Sequence, residues 1–336
     1  MKSSSRSRLP GAVTATFAAL LALAAPLFAA NPIITDVYTA DPAALVVGDT
    51  VYLYTGHDEA EPGKAGYVMH DWLVYSSTDM VNWTPHGSPL AVKDFAWAKA
   101  NAWAGHVAER DGKFYWYVPM WMDEPRGFAI GVAVSDSPTG PFKDALGAPL
   151  ITSDMTPNPT NPEGVVVEWD DIDPAIFIDD DGQAYMWWGN TNLYYAKLKP
   201  NMIELDGPIV TVEKPPHFVE APWIHKRGDL YYLSYAYGFP ERTAYATGPT
   251  ATGPWTYRGL ILGLAGNSNT SHQAIIHFKG RDYCFYHHGG LPGGDSFHRA
   301  VCVDYLDYRE DGTIRQILPT MEGVGSADEP RPVDER

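Results

Sequence analysis

The stretch Asp173-Pro174-Ala175-Ile176-Phe177-Ile178-Asp179-Asp180-Asp181-Gly182-Gln183-Ala184-Tyr185-Met186-Trp187-Trp188 decides the fold, because the chain carries its layout five times. An acid leads, a short apolar run follows, an Asp/Gly turn reverses the chain, and an aromatic run returns. That is the pattern of a β-hairpin with the acid at its entrance. The other copies start at Asp41, Ala104, Glu220 and His272, and return through Tyr52, Tyr115, Tyr231 and Tyr283. From lead residue to aligned tyrosine the distance is 11 residues in four copies and 12 in the third, whose turn is one residue longer. The leads recur at intervals of 63, 69, 47 and 52 residues. A hairpin returning at roughly 40–50 residues is the signature of a propeller blade, so an all-β, five-bladed β-propeller is expected, with insertions in the first two blades.

In a propeller the innermost strand of each blade runs along a central channel. Equivalent positions at the start of those strands gather at one mouth. The gathered residues here are Asp41, Ala104, Asp173, Glu220 and His272. An Asp before a proline is a common turn starter. Three acids at one phase of a repeat instead suggest carboxyls that repel one another and shift at least one pKa. A second repeat supports the first: Thr139-Gly140-Pro141-Phe142 and Thr252-Gly253-Pro254-Trp255 close blades two and four.

The ends read differently. Lys2, Arg6 and Arg8 precede an Ala/Leu-rich run from Ala12 to Leu27, with Ala29 and Ala30 before Asn31-Pro32. Residues 1–29 are expected to be a signal peptide, leaving a catalytic propeller over 30–321 and a polar tail over 322–336. The localisation expected is secreted or periplasmic, with no membrane insertion after cleavage. Without the leader, 21 basic side chains face 41 acidic ones, a net charge of about −20. That argues against nucleic acid and anionic membranes as partners and is compatible with neutral polymers such as sugars. Oligomeric state is not legible. Cys284 and Cys302 lie on strand-like runs of the last blade; a disulfide is conceivable in an exported protein, but two buried free thiols are the favoured reading. Thr152–Glu163, rich in Pro, Asn and Thr, reads as a loop over one face.

Taken together, Ala40-Asp41-Pro42, Trp103-Ala104, Asp171-Ile172-Asp173-Pro174, Val219-Glu220-Ala221-Pro222 and His298-Arg299-Ala300-Val301 make the chain resemble glycoside hydrolase family 43. These are inverting five-bladed propeller enzymes acting on arabinose- and xylose-containing polysaccharides. The resemblance implies Asp41 as general base, Asp173 as the residue tuning the acid, and Glu220 as general acid. Gly105 departs from the proline usual after Trp-Ala. Inversion needs one protonated carboxyl for the leaving oxygen and one ionised carboxyl for water, typically about 6.5–9.5 Å apart. An ionised Asp173 is expected to raise the Glu220 pKa by like-charge repulsion.

Trp103 and Phe239 are candidate apolar walls for a sugar ring. Arg299 is placed to meet sugar hydroxyls or to hold a carboxylate. In similar enzymes the residue equivalent to His272 lies near a channel ion, often calcium held partly through water; a hydrogen-bonded core histidine is the alternative. No cofactor is needed for the chemistry. Adjacent His287 and His288 have poor geometry for one ion and read as blade residues. The expected substrate is a plant cell-wall polysaccharide or oligosaccharide. The expected activity is that of an α-L-arabinofuranosidase removing side chains from arabinoxylan or arabinan, with β-xylosidase as the alternative within the class. A non-catalytic carbohydrate-binding propeller, or one serving protein interaction, stands further off because all three acids are present.

Overall fold

A computed structural model describes residue 1 and residues 29–157, 159–160 and 164–331. Residues 2–28 of the expected leader, four residues of the loop after blade two and the last five residues of the tail lie outside the described residues. Among the described residues, twenty strands form five antiparallel sheets, one per hairpin repeat. Blade one begins with Thr39–Val47 and Thr50–His57, blade two with His106–Arg110 and Lys113–Met122, and blade three with Ala175–Ile178 and Ala184–Trp188. Blade four begins with Trp223–Arg227 and Leu230–Tyr237, and blade five with Ala274–Phe278 and Arg281–His288. The first strand of each blade touches the first strands of both neighbouring blades, so the ring closes around one axis. The expected five-bladed β-propeller is the observed fold.

Side-chain alternation explains the packing. Consecutive strand residues point to opposite faces, and each blade is covered on both faces by its neighbours. Trp187 therefore packs toward blade four, with Ile224 and Leu233, while Trp188 packs toward blade two, with Tyr117 and Ile130. The core is thus a set of wedges between blades. That is why the returning strands read as continuous aromatic runs.

Blade five has three strands of its own. Residues 31–33 lie along its third strand: Ile33 N–H donates to Val301 O at 2.9 Å, and the Asn31 amide exchanges hydrogen bonds with the backbone of Val303. Chain start and chain end thereby close the ring together. Residues 322–331 do not behave as a tail. Val324 and Ala327 are buried in the same core as blade five, and Ala29 N–H donates to Val324 O at 2.7 Å. The boundary expected at 321 therefore falls inside the packed structure, because two apolar residues in a polar stretch suffice to dock it.

Cys284 and Cys302 are free and buried. They sit on paired strands but out of register, Cys284 facing Asp304 and Cys302 facing Tyr286. The insertions of the first two blades are the segments from 58 to 70 and from 92 to 105 and, among the described residues, from 145 to 157 and from 164 to 174. Tyr67, Met69, Trp103 and Trp169 of these segments line one mouth of the channel.

Candidate active site

At that mouth lies a pocket of about 490 Å³. All seven residues singled out from the sequence line it: Asp41, Trp103, Asp173, Glu220, Phe239, His272 and Arg299. The repeat brings four of them there, since each precedes or begins an inner strand. Asp41 sits on a β-bulge of the first strand. Asp41 and Asp173 both adopt left-handed backbone, φ 50° and 57°, a region that aspartate visits more readily than most side chains. The turn out of the channel aims both carboxyls at the pocket.

Asp41 is held from two sides. Arg299 Nη1 donates to its Oδ1 at 2.8 Å. The other edge of the guanidinium forms a two-pronged pair with Asp58, Nε to Oδ2 and Nη2 to Oδ1, both at 2.9 Å. His287 Nδ1 accepts the Asp41 backbone N–H at 3.1 Å, so its Nε2 carries the proton, which goes to Thr270 O at 3.1 Å. Burial also keeps His287 neutral. Burial pushes the Asp41 carboxyl up to about 6 even though Arg299 opposes the rise. The whole cluster is buried: Arg299 is 3 % exposed and holds carboxylates instead of facing solvent.

Among the described residues, the acid side has no cation of its own. Asp173 Oδ2 accepts the Ala221 N–H at 3.0 Å, which ties it to the residue after Glu220. Asn190 donates its amide to Glu220 Oε2, and the Thr191 hydroxyl, donating to Asn190 Oδ1 at 2.9 Å, fixes which way that amide points. Burial pushes Glu220 up to about 7, with Asp41 adding to the rise. Asp173 is raised well above the carboxylate range by burial, then by Glu220 and Asp41. This corrects one expectation. Burial, not an ionised Asp173, is the main cause of the Glu220 shift, because Asp173 is itself too deeply buried to stay charged beside another carboxyl.

The walls are apolar. Trp103 stacks on Phe128 with ring centres 4.2 Å apart, and its Nε1 donates to Tyr67 O at 3.0 Å. Tyr67 covers the Arg299 guanidinium at 4.9 Å. Phe239, 70 % exposed, and Trp169, 41 % exposed, stand at the rim. Gly105 has a steric reason: a Cβ there would lie 2.8 Å from Trp116 Nε1 and from Tyr117 O.

His272 lines the pocket floor, its Nδ1 3.9 Å from Asp173 Oδ2, and burial lowers it to about 3, so it is neutral. Next to it Gln273 donates to Ala221 O at 2.8 Å, while its Oε1 is buried without a partner. One imidazole and one amide oxygen fit a hard cation such as calcium only if water completes its six to eight oxygen ligands. Among the described residues, the one group with metal-ligand spacing is His57, Glu59 and Asp71, and there His57 Nδ1 is already bonded to Asp71 at 2.8 Å.

The sequence of glycosyl hydrolases family 43 matches residues 29–314. The chain belongs to that family. It is 32 % identical to the xylosidase/arabinosidase 43A of Humicola insolens, over 84 % of this chain and 98 % of the relative. It is 31 % identical to the arabinoxylan arabinofuranohydrolase of Bacillus subtilis, over 88 % of this chain and 65 % of that one. Among solved structures, a β-xylosidase/α-arabinofuranosidase from a compost metagenome, in complex with xylotriose and calcium-free, superposes with a TM-score of 0.75 at 33 % identity, covering 86 % of this chain and 97 % of its own. This family 43 protein is therefore an inverting glycoside hydrolase with a carbohydrate substrate.

Sequence reading missed several residues of the site in this hydrolase. Asp58 ends the run Tyr52–Asp58, which fits the family pattern, yet nothing local in it points to Arg299. His287 reads as an ordinary strand residue, yet ring closure sets it behind Asp41. Tyr67 and Trp169 come from insertions, and Asn190 and Glu241 from strand ends. Asp170 and Asp171 turn out to anchor a loop: Asp171 accepts from Trp188 Nε1 at 2.7 Å and from Thr156 Oγ1 at 2.9 Å.

Proposed function

We propose that this family 43 enzyme is an exo-acting α-L-arabinofuranosidase that removes arabinose side chains from arabinoxylan or arabinan. The observation that carries this is the pocket itself: a cavity of about 490 Å³ with Asp41 and Glu220 in its lining and exposed aromatics, Phe239 and Trp169, at its rim. One sugar fits inside, while a polymer backbone lies against the rim. The similarity to arabinoxylan arabinofuranohydrolases supports the reading. The second reading, β-xylosidase, is favoured by the likeness to a xylotriose complex.

In this reading Asp41, ionised and oriented by Arg299, takes a proton from water as the water oxygen bonds to the anomeric carbon. The bond from that carbon to the leaving oxygen breaks, and Glu220 gives its proton to that oxygen. Asn190 occupies Glu220 Oε2, leaving Oε1 for the substrate. Asp173, bonded to Ala221 N–H, fixes the backbone that carries the acid. Attack from the face opposite the leaving group inverts the anomeric configuration. A channel calcium would be held by His272 and Gln273, partly through water, and would supply structural positive charge. We also propose export through the N-terminal leader, testable by sequencing the mature N-terminus. The activity test compares nitrophenyl α-L-arabinofuranoside with nitrophenyl β-D-xylopyranoside, then arabinoxylan with arabinan. Turnover of the xyloside alone would replace the first reading with the second.

A further inference from the structure

A fourth carboxyl, Glu241, lines the pocket, and the division of labour above leaves it without a task. It follows the rim residue Phe239 by two positions and precedes the strand Arg242–Gly248 of blade four. It is 3 % exposed. Its backbone N–H donates to Asn269 O at 3.0 Å, and its Oε2 accepts the Ser271 N–H at 2.7 Å. These bonds fix the side chain between blade four and the loop leading to His272. Oε1 accepts no hydrogen bond among the described residues, and Glu241 lines the pocket. No cation pairs with Glu241 among the described residues. The single arginine of the pocket is engaged by Asp41 and Asp58.

A carboxyl so placed, with Glu220, Asp173 and Asp41 nearby, holds its proton; burial and those three neighbours all push its pKa up. A protonated carboxyl is a hydrogen-bond donor as well as an acceptor. An unpaired, nearly buried polar oxygen in a sugar-sized pocket costs free energy until a ligand meets it. We propose that Glu241 binds substrate directly: its Oε1 side meets a hydroxyl of the non-reducing-end sugar and helps to set which pentose ring the pocket accepts. This rests on the reading of the pocket as a glycosidase site. The discrimination follows from geometry. One fixed donor cannot meet the same hydroxyl equally well in a five-membered and a six-membered ring, and a site built to bond a hydroxyl discriminates strongly against a ligand that does not present it.

The test uses the full chain with E241Q and E241A. The readout is the ratio of kcat/KM for nitrophenyl α-L-arabinofuranoside to that for nitrophenyl β-D-xylopyranoside. Where one glycoside is not turned over, the ratio of inhibition constants for L-arabinose and D-xylose replaces it. Gln keeps the Ser271 contact and a donor toward the pocket, so E241Q should retain kcat/KM within about ten-fold and shift the ratio by a few-fold. E241A should lose about 10–100-fold on the preferred sugar, the worth of roughly one strong hydrogen bond, and much less on the other. A ratio unchanged in both variants, or unchanged in E241Q where E241A does not fold, overturns the proposal. So does a loss in E241Q that grows with leaving-group pKa, which would make Glu241 the acid. Wild-type enzyme inactive on both glycosides sinks the reading of the pocket itself; wild-type activity with an unchanged ratio sinks only the role of Glu241.

Discussion

The two sides of the pocket solve opposite problems with the same residue type. On the Asp41 side, a carboxyl shares one arginine with Asp58, and every guanidinium nitrogen of that arginine is bonded. On the Glu220 side, three carboxyls, Asp173, Glu220 and Glu241, stand together with backbone N–H groups and one amide as partners. A cation favours the ionised form; burial without one favours the protonated form. The same propeller mouth therefore holds a base and an acid at one pH, through where the arginine is placed and not through different chemistry.

The sharpest break of this comparison is removal of the base. Asp41→Asn should cost about 10⁴-fold in kcat, equally for good and poor leaving groups, because water activation is needed for every substrate. Glu220→Gln should cost about 10²–10⁴-fold on arabinoxylan and only a few-fold on dinitrophenyl glycosides, whose phenolate leaves unaided. Rates across aryl glycosides of graded leaving-group pKa check both. A steeper dependence for Asp41→Asn than for Glu220→Gln would reverse the assignment.

Removing the cation tests the base side. Arg299→Met leaves Asp41 and Asp58 buried without their partner, so urea unfolding should show a loss of about 3–5 kcal/mol. Adding Asp58→Asn should recover part of that stability.

The pH profile sharpens the comparison further. Asp41, raised to about 6, must be ionised, so kcat/KM should rise through about pH 6. Glu220, raised to about 7, must be protonated, so kcat/KM should fall through about pH 7. Asp58→Asn removes a negative neighbour that raises Asp41, so the acidic limb should move to lower pH while the alkaline limb stays. Movement of the alkaline limb instead would show that the two sides are not separate. The smallest effect belongs to the rim: Phe239→Ala should change stability by less than about 0.5 kcal/mol, because the ring is 70 % exposed. It should raise KM on polymer a few-fold and leave aryl glycosides unchanged.

The sequence by itself determined the fold and the acids. Five hairpins at one phase dictate five blades, and the position of Asp41, Asp173, Glu220 and His272 at the head of each repeat dictates that they meet. Periodicity is a local property, so a linear chain displays it. The tertiary structure alone decided the charge on each carboxyl. Arg299 and Asp58 are 241 residues apart and His287 and Asp41 246 apart, and nothing in their local patterns couples them. They meet because blade one, with residues 31–33, closes the ring against blade five. Burial, which sets Glu220 and Asp173, depends on insertions that obey no repeat. A pKa is a property of surroundings, and for this pocket the surroundings are assembled from both ends of the chain.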